Sequence, residues 1–265
     1  MIQLYKKYHV GYMCVGIALI VCMVVLMIWL GNKHWYALLL VFFPTILLIF
    51  ANATLFTTLT SRKLTKEVLT LLSNCEANKY MSELKRLFED KAKKGVIVSI
   101  YNSLLASGYA AIGDYDSIYE CCQKITAKNY QFAKHQSMIE YYISKDQIGQ
   151  AQNEIEELRK KAAKMKNPKI KEASEINIRN AEYVIRIKQG NYEGAEEHFK
   201  KMLETTKPLY PLTKVSYSFS LGRLLVLKGE PERARDYLQT AYDLSGDTKF
   251  KKLAGEQLEK LAQDI

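Results

Sequence analysis

Two adjacent thiols, Cys121 and Cys122, are by residue type the strongest candidates for nucleophilic chemistry in this 265-residue chain. A thiol attacks as the thiolate, which needs a cationic or polar setting. Cys122 instead falls at an apolar-periodic position shared with Phe199 and Leu238, which predicts burial and an inert sulfur. The four histidines, His9, His34, His135 and His198, are scattered, and none has a second ligand three or four residues away, so no metal site is expected. No glycine-rich phosphate loop and no Gly-x-Ser-x-Gly nucleophile motif occurs. The carboxylates of "NEIEEL" (153–158) and "GAEEHF" (194–199) recur at helical spacing and read as solvated faces. The expectation is a chain without catalysis and without a cofactor.

One stretch concentrates charge. "RKKAAKMKNPKIK" (159–171) carries Arg159, Lys160, Lys161, Lys164, Lys166, Lys169 and Lys171. Three readings fit it: a solvated helical extension, a contact with anionic lipid headgroups, or a nucleic-acid contact. The last is disfavoured, because no aromatic residues are interleaved with the charge. No nucleic-acid partner is expected.

The elements that must position these residues come in two kinds. Residues 1–55 hold no Asp or Glu and only Lys6, Lys7 and Lys33 as cations, so all 28 acidic residues lie further on. Within that segment, 10–30 and 35–55 are uncharged runs of 21 residues each. As helices they would be about 31 Å long, which matches a hydrocarbon core of about 30 Å. They predict two membrane spans joined by the short external loop 31–34, after a cytoplasmic tail at 1–9. The first run is too long for the apolar core of a signal peptide. Trp29, Trp35 and Tyr36 stand at interfacial positions, and Pro44 should kink the second helix. Lys6 and Lys7 before the spans and Arg62, Lys63 and Lys66 after them outnumber Lys33 in the loop, so both termini are expected on the cytoplasmic side of a cell membrane. The sequon at Asn52 would then go unused. Five cysteines without framework or ligand spacing agree with a reducing compartment.

Residues 56–265 are expected to form an all-α domain, and they repeat themselves. "GDYDSIYECCQKI" (113–125), "GNYEGAEEHFKKMLE" (190–204) and "GEPERARDYLQTAY" (229–242) align on Gly113, Gly190 and Gly229. Tyr115, Tyr192 and Pro231 follow two residues later. Ile118, Ala195 and Ala234 come next, and then Cys122, Phe199 and Leu238. Spacings of three and four place the last two sets on one helix face. A weaker copy starts at Asp146, with Ile148, Ala151 and Ile155; a still weaker one is anchored at Asn78, with Tyr80 and Leu87.

Helix–turn–helix units of this kind, at a period near 34 residues, resemble the tetratricopeptide repeat over about 62–246. Leu105, Ala106 and Tyr109 before Gly113, and Leu221, Gly222 and Leu225 before Gly229, match the pattern of the family's first helix. Intervals of 44 and 39 depart from the strict period. The resemblance implies an α-solenoid of about five pairs, at 62–93, 97–128, 131–165, 170–206 and 212–244. "TKFKKLAGEQLEKLAQDI" would follow as a capping helix whose stripe is Leu253, Leu258 and Leu261. It also implies a concave face lined by the first helices, carrying Ser103, Ser107, Gln136, Glu140, Asn180 and Arg223 as partner-binding residues. The family's carboxylate clamp is not found. The resulting expectation is a membrane-anchored scaffold that recruits a protein partner through that face. The rival is a subunit of a larger transport or translocation complex, with the hairpin as its interface through Gly11, Gly16 and Ala18.

Overall fold

The computed structural model describes residues 14–18, 20–22, 24–25, 28, 66–88, 95–204 and 209–263. The chain divides into two units, 1–67 and 68–265. In the first, the described residues between 14 and 28 are α-helical, and Val15, Ile17, Ile20, Val21, Val24, Val25 and Ile28 are all exposed. The rest of the expected spans, including 35–55 entirely, lies outside the described residues. Among those described, no helix is long and apolar enough to cross a membrane.

In the second unit every described element is helical. α1 covers 66–73 and α2 Ala77–Phe88. α3 (Val96–Ile112) pairs with α4 (Tyr115–Gln123), and α5 (Gln131–Ser144) with α6 (Ile148–Ala163). α7 (Pro168–Lys188) is followed by α8 (Ala195–Leu203), then α9 (Pro211–Leu227), α10 (Pro231–Leu244) and α11 (Lys249–Gln263). From α2 onward, helices adjacent in sequence pack on one another except that α7 and α8 meet only loosely, and α3 touches α5 as α5 touches α7. The first ten helices thus fall two by two within 62–93, 97–128, 131–165, 170–206 and 212–244, give or take a residue or two at the ends, and α11 follows them.

One turn is written five times. Cys75, Gly113, Asp146, Gly190 and Gly229 are left-handed, at φ 64°, 83°, 58°, 79° and 75°. In each case the next residue's N–H donates to the carbonyl five residues back: Glu76 to Leu71, Asp114 to Tyr109, Gln147 to Tyr142, Asn191 to Arg186 and Glu230 to Leu225, at 2.9–3.0 Å. This six-to-one bond ends one helix and aims the chain into the next. Five residues after each left-handed position stand Tyr80, Ile118, Ala151, Ala195 and Ala234, all fully buried. Nine residues after stand Leu84, Cys122, Ile155, Phe199 and Leu238, also buried. The anchor of the first pair is thus Cys75, three residues before the expected Asn78. The spacing hid it because a cysteine, not a glycine, takes the left-handed position.

Pair geometry follows side-chain size. A Cβ on Gly222 would lie 2.7 Å from Leu238 Cγ and 3.2 Å from its backbone nitrogen, so α9 and α10 pack at close range. In the first pair the bulky Tyr80 replaces the small residue, and its hydroxyl donates to Leu104 O at 2.8 Å. Gly108 makes room: a Cβ there would stand 2.9 Å from the Tyr80 ring. Between α7 and α8 rings fill the gap instead, with Tyr183 stacked on His198 at 4.6 Å.

The two ends of the unit meet. Cys75, Val215, Ala241 and Ala254 form one small core drawn from the α1–α2 turn, α9, α10 and α11. The Asp247 carboxylate accepts from the N–H groups of Ala77 and Asn78 at the start of α2, and Asp247 N–H donates to Cys75 O at 3.1 Å. A carboxylate on free N-terminal N–H groups is a helix cap provided from a distant part of the chain.

On the outside, Glu196 of α8 binds Lys200, Lys228 and Arg233 and ties α8 to the α9–α10 turn. The hydrogen bonds from Lys228, Lys200 and Arg233 hold its carboxyl down at about 2, from 4.5. A depressed carboxyl stabilises the fold above its unfolded pKa, and that contribution is lost as pH falls through the folded one. Solvent screening at this surface reduces the effect to about 1 kcal/mol. Acid titration of stability should therefore show a loss between pH 4.5 and about 2 that Glu196→Gln removes. An unchanged acid limb in the variant would contradict this.

Candidate functional site

One face each of α5, α7, α9 and α11 lines a half-open cavity of about 670 Å³. α5 contributes Gln136, Ile139, Glu140 and Ile143, and α7 contributes Asn177, Asn180, Ala181, Val184 and Lys188. α9 adds Ser216, Phe219, Ser220 and Arg223; α11 adds Phe250, Leu253, Glu256 and Gln257. Steps of three and four along each helix bring these residues to a common wall. The lining alternates apolar surface with amides and hydroxyls, a composition suited to holding a ligand in one orientation.

Four of the six residues expected on the concave face, Gln136, Glu140, Asn180 and Arg223, meet here. The other two do not. Ser103 is buried in α3 with its hydroxyl donating to Ile100 O at 2.8 Å, and Ser107 bonds back to Ser103 O at 3.2 Å, outside the cavity. Both satisfy the preceding turn of their own helix, a common role for serine within a helix.

The four that meet have unlike duties. Asn180 Oδ1 accepts from His198 Nε2 at 2.6 Å, and its Nδ2 donates to Tyr217 Oη at 3.0 Å. Burial, with the Arg179 and Lys201 charges, lowers the His198 pKa and keeps the ring neutral. Asn180 is thus a packing link between α7, α8 and α9. Glu140 holds Lys249, as described below. Lys188 donates to Ile143 O at 2.9 Å and Asp146 at 2.8 Å. Arg223 is half-buried in the wall and makes no hydrogen bond or ion pair among the described residues. It is the group in this cavity left to receive an anion.

α11 does more than close the last pair. Leu258 and Leu261 of its expected stripe pack on the α9–α10 core, while Leu253 and Phe250 face the cavity. Lys249 crosses to the second and third pairs: it binds Glu140 and lies 5.2 Å over the Tyr115 ring. Sequence reasoning missed Lys249 and Phe250, because a solenoid cap needs contact only with its neighbour. The phenylalanine beside a lysine run was the available signal.

The three thiols of the helical unit are buried rather than activated, whereas Cys14 and Cys22 are exposed. Burial pushes Cys121 to about 11 and Cys122 to about 12. Burial and the nearby Asp247 push Cys75 to about 11. Alkylation of the folded chain at neutral pH should therefore leave all three unmodified while unfolded chain reacts; mass spectrometry after brief alkylation checks this. Among the described residues no three His, Cys, Asp or Glu side chains stand together as a metal site.

In the basic stretch, Arg159 pairs with Glu182, Lys160 with Glu157 at 2.8 Å and Lys171 with Glu175 at 4.0 Å. Lys161, Lys164, Lys166 and Lys169 have no ion-pair partner among the described residues, and none of the seven borders the cavity. No protein-family model, no curated protein and no solved structure matches this chain.

Proposed function

We propose that the chain is a membrane-anchored helical-repeat adaptor. Its two apolar runs form the anchor, its helix pairs form a solenoid similar to tetratricopeptide repeats on the cytoplasmic face, and the cavity takes a segment of a protein partner. The supporting observation is the unpaired Arg223 within a wall of amides, hydroxyls and aromatic rings. The Arg223 guanidinium still reaches solvent but has no carboxylate beside it among the described residues, so a ligand carboxylate in this half-buried wall would add a charge-assisted, bidentate pair. The preferred ligand is an acidic peptide segment. Tethering raises the effective concentration of any partner that shares the membrane. No catalytic step is assigned.

The test uses the full-length chain in its native membrane with a photo-crosslinker at Ser220. Arg223→Glu and Gln136→Ala are introduced together in a parallel sample; Asn180 is left alone because its loss would strand His198. Capture of one protein through an acidic segment, abolished in the variant while thermal unfolding is unchanged, supports the adaptor. Equal capture in both samples, with crosslinks confined to 10–55, favours the hairpin as interface and overturns it.

A further inference from the structure

We infer that the turn joining α6 to α7 docks on anionic phospholipid headgroups. The turn and its flanks contain no carboxylate between Glu157 and Glu172. Of the seven cations, Arg159, Lys160 and Lys171 are engaged by carboxylates of α6 and α7. That leaves Lys161, Lys164, Lys166 and Lys169 as a cluster of unneutralised charge on a short stretch of chain. Ile170, beside them, is 54% exposed. Met165 does not share that exposure, because its sulfur accepts from the Ser174 hydroxyl at 3.4 Å and is held inward.

An exposed branched apolar side chain set among free lysines is the composition of an element that lies in a headgroup layer: the lysines meet phosphate and the isoleucine enters the acyl boundary. Each lysine close to an anionic surface strengthens attachment about fivefold. Single-stranded nucleic acid is a poorer fit, since no aromatic residue lies within 159–171 to stack on a base. An acidic protein would pair with the lysines but gain nothing from the exposed Ile170 beside them in the chain. The lipid is also the ligand that the two apolar runs would bring to the same chain.

The full-length chain is incorporated into lipid nanodiscs of phosphatidylcholine alone or of a mixture rich in phosphatidylglycerol, and surface amines are acylated briefly. Mass spectrometry compares the four turn lysines with Lys252 and Lys260 of α11. Acylation at Lys161, Lys164, Lys166 and Lys169 should fall at least ~3-fold in the anionic discs, relative to those references, and recover at high salt. Ile170→Ser should weaken the protection without changing the fold. Equal acylation in both discs overturns the inference, as does protection that appears with added oligonucleotide but not with lipid. A chain that stays outside the disc would overturn the membrane anchor alone; added vesicles of the two compositions then decide the turn by the same labelling.

Discussion

Gly246→Ala is expected to destabilise the helical unit by about 3 kcal/mol or more, an unusually large cost for one methyl group. Two terms add. Gly246 sits at φ 53°, a left-handed conformation that costs an L-residue roughly 1–2 kcal/mol. A Cβ there would also stand 2.3 Å from the carbonyl oxygen of Cys75, with Cys75 C and Cβ at 3.1 Å. Backbone cannot rotate aside as a side chain can, so the turn before α11 must lift off the α1–α2 turn. That would break the bond from Asp247 N–H to Cys75 O and withdraw the Asp247 carboxylate from the start of α2. Gly149→Ala is the control: its Cβ meets nothing within 4 Å in the first turn of α6, and helix propensity predicts a gain of up to about 1 kcal/mol. Denaturant unfolding followed by circular dichroism measures both. Hydrogen exchange should show the Gly246 variant opening at 75–80 and at α11 together. If it matches wild type, the two ends of the unit do not meet as described.

That closure is the part of the fold the sequence conceals. Helix pairing is legible because it is local: a left-handed turn residue, then buried side chains five and nine places on, repeated at intervals a reader can align. Even so, Cys75 and Asp146 fill the left-handed position without glycine, and the first anchor is misplaced by three residues in consequence. Contacts between Cys75 and Gly246, or between Glu140 and Lys249, join residues more than a hundred positions apart and carry no period. The concave-face list shows the same divide. Gln136, Glu140, Asn180 and Arg223 come from the register that the resemblance to the repeat family implies, and all four reach the cavity. Ser103 and Ser107 belong to α3, which borders the cavity nowhere, because Lys249 and Tyr115 close that end. Nor does register reveal which lining residue is free: Asn180 and Arg223 hold equivalent places in the implied register, yet one is committed to His198 and the other has no partner among the described residues.

The second large effect concerns how α11 is held over the cavity, and it should be asymmetric. Lys249 is 13% exposed, its ammonium bound to Glu140 and flanked by the Tyr115 and Phe250 rings, at 5.2 and 5.5 Å. Its stem lies against the α3–α4 turn, 3.3 Å from where a Cβ on Gly113 would be. Burial acts to lower the Lys249 pKa, but the Glu140 charge and the Tyr115 hydroxyl outweigh it, and the net shift is upward from 10.5. The lysine is therefore charged at neutral pH and depends on its partner. Glu140→Gln leaves that ammonium in place with only an amide to meet it, and is expected to cost about 2 kcal/mol. Lys249→Met keeps the stem packing and removes the charge, so it should cost less, about 1 kcal/mol. The double variant should resemble the methionine variant alone, giving a coupling energy of the order of the Glu140 effect. A raised lysine stabilises fully below its unfolded value and loses that contribution as pH rises through the folded one. Wild type should therefore lose stability above pH 10.5, and Lys249→Met should not share that loss. Hydrogen exchange in Glu140→Gln should rise first in α11, whose Phe250 and Leu253 form the cavity wall. If the two single variants cost the same and add, Lys249 is a surface lysine near a carboxylate, and α11 is held by its leucines alone.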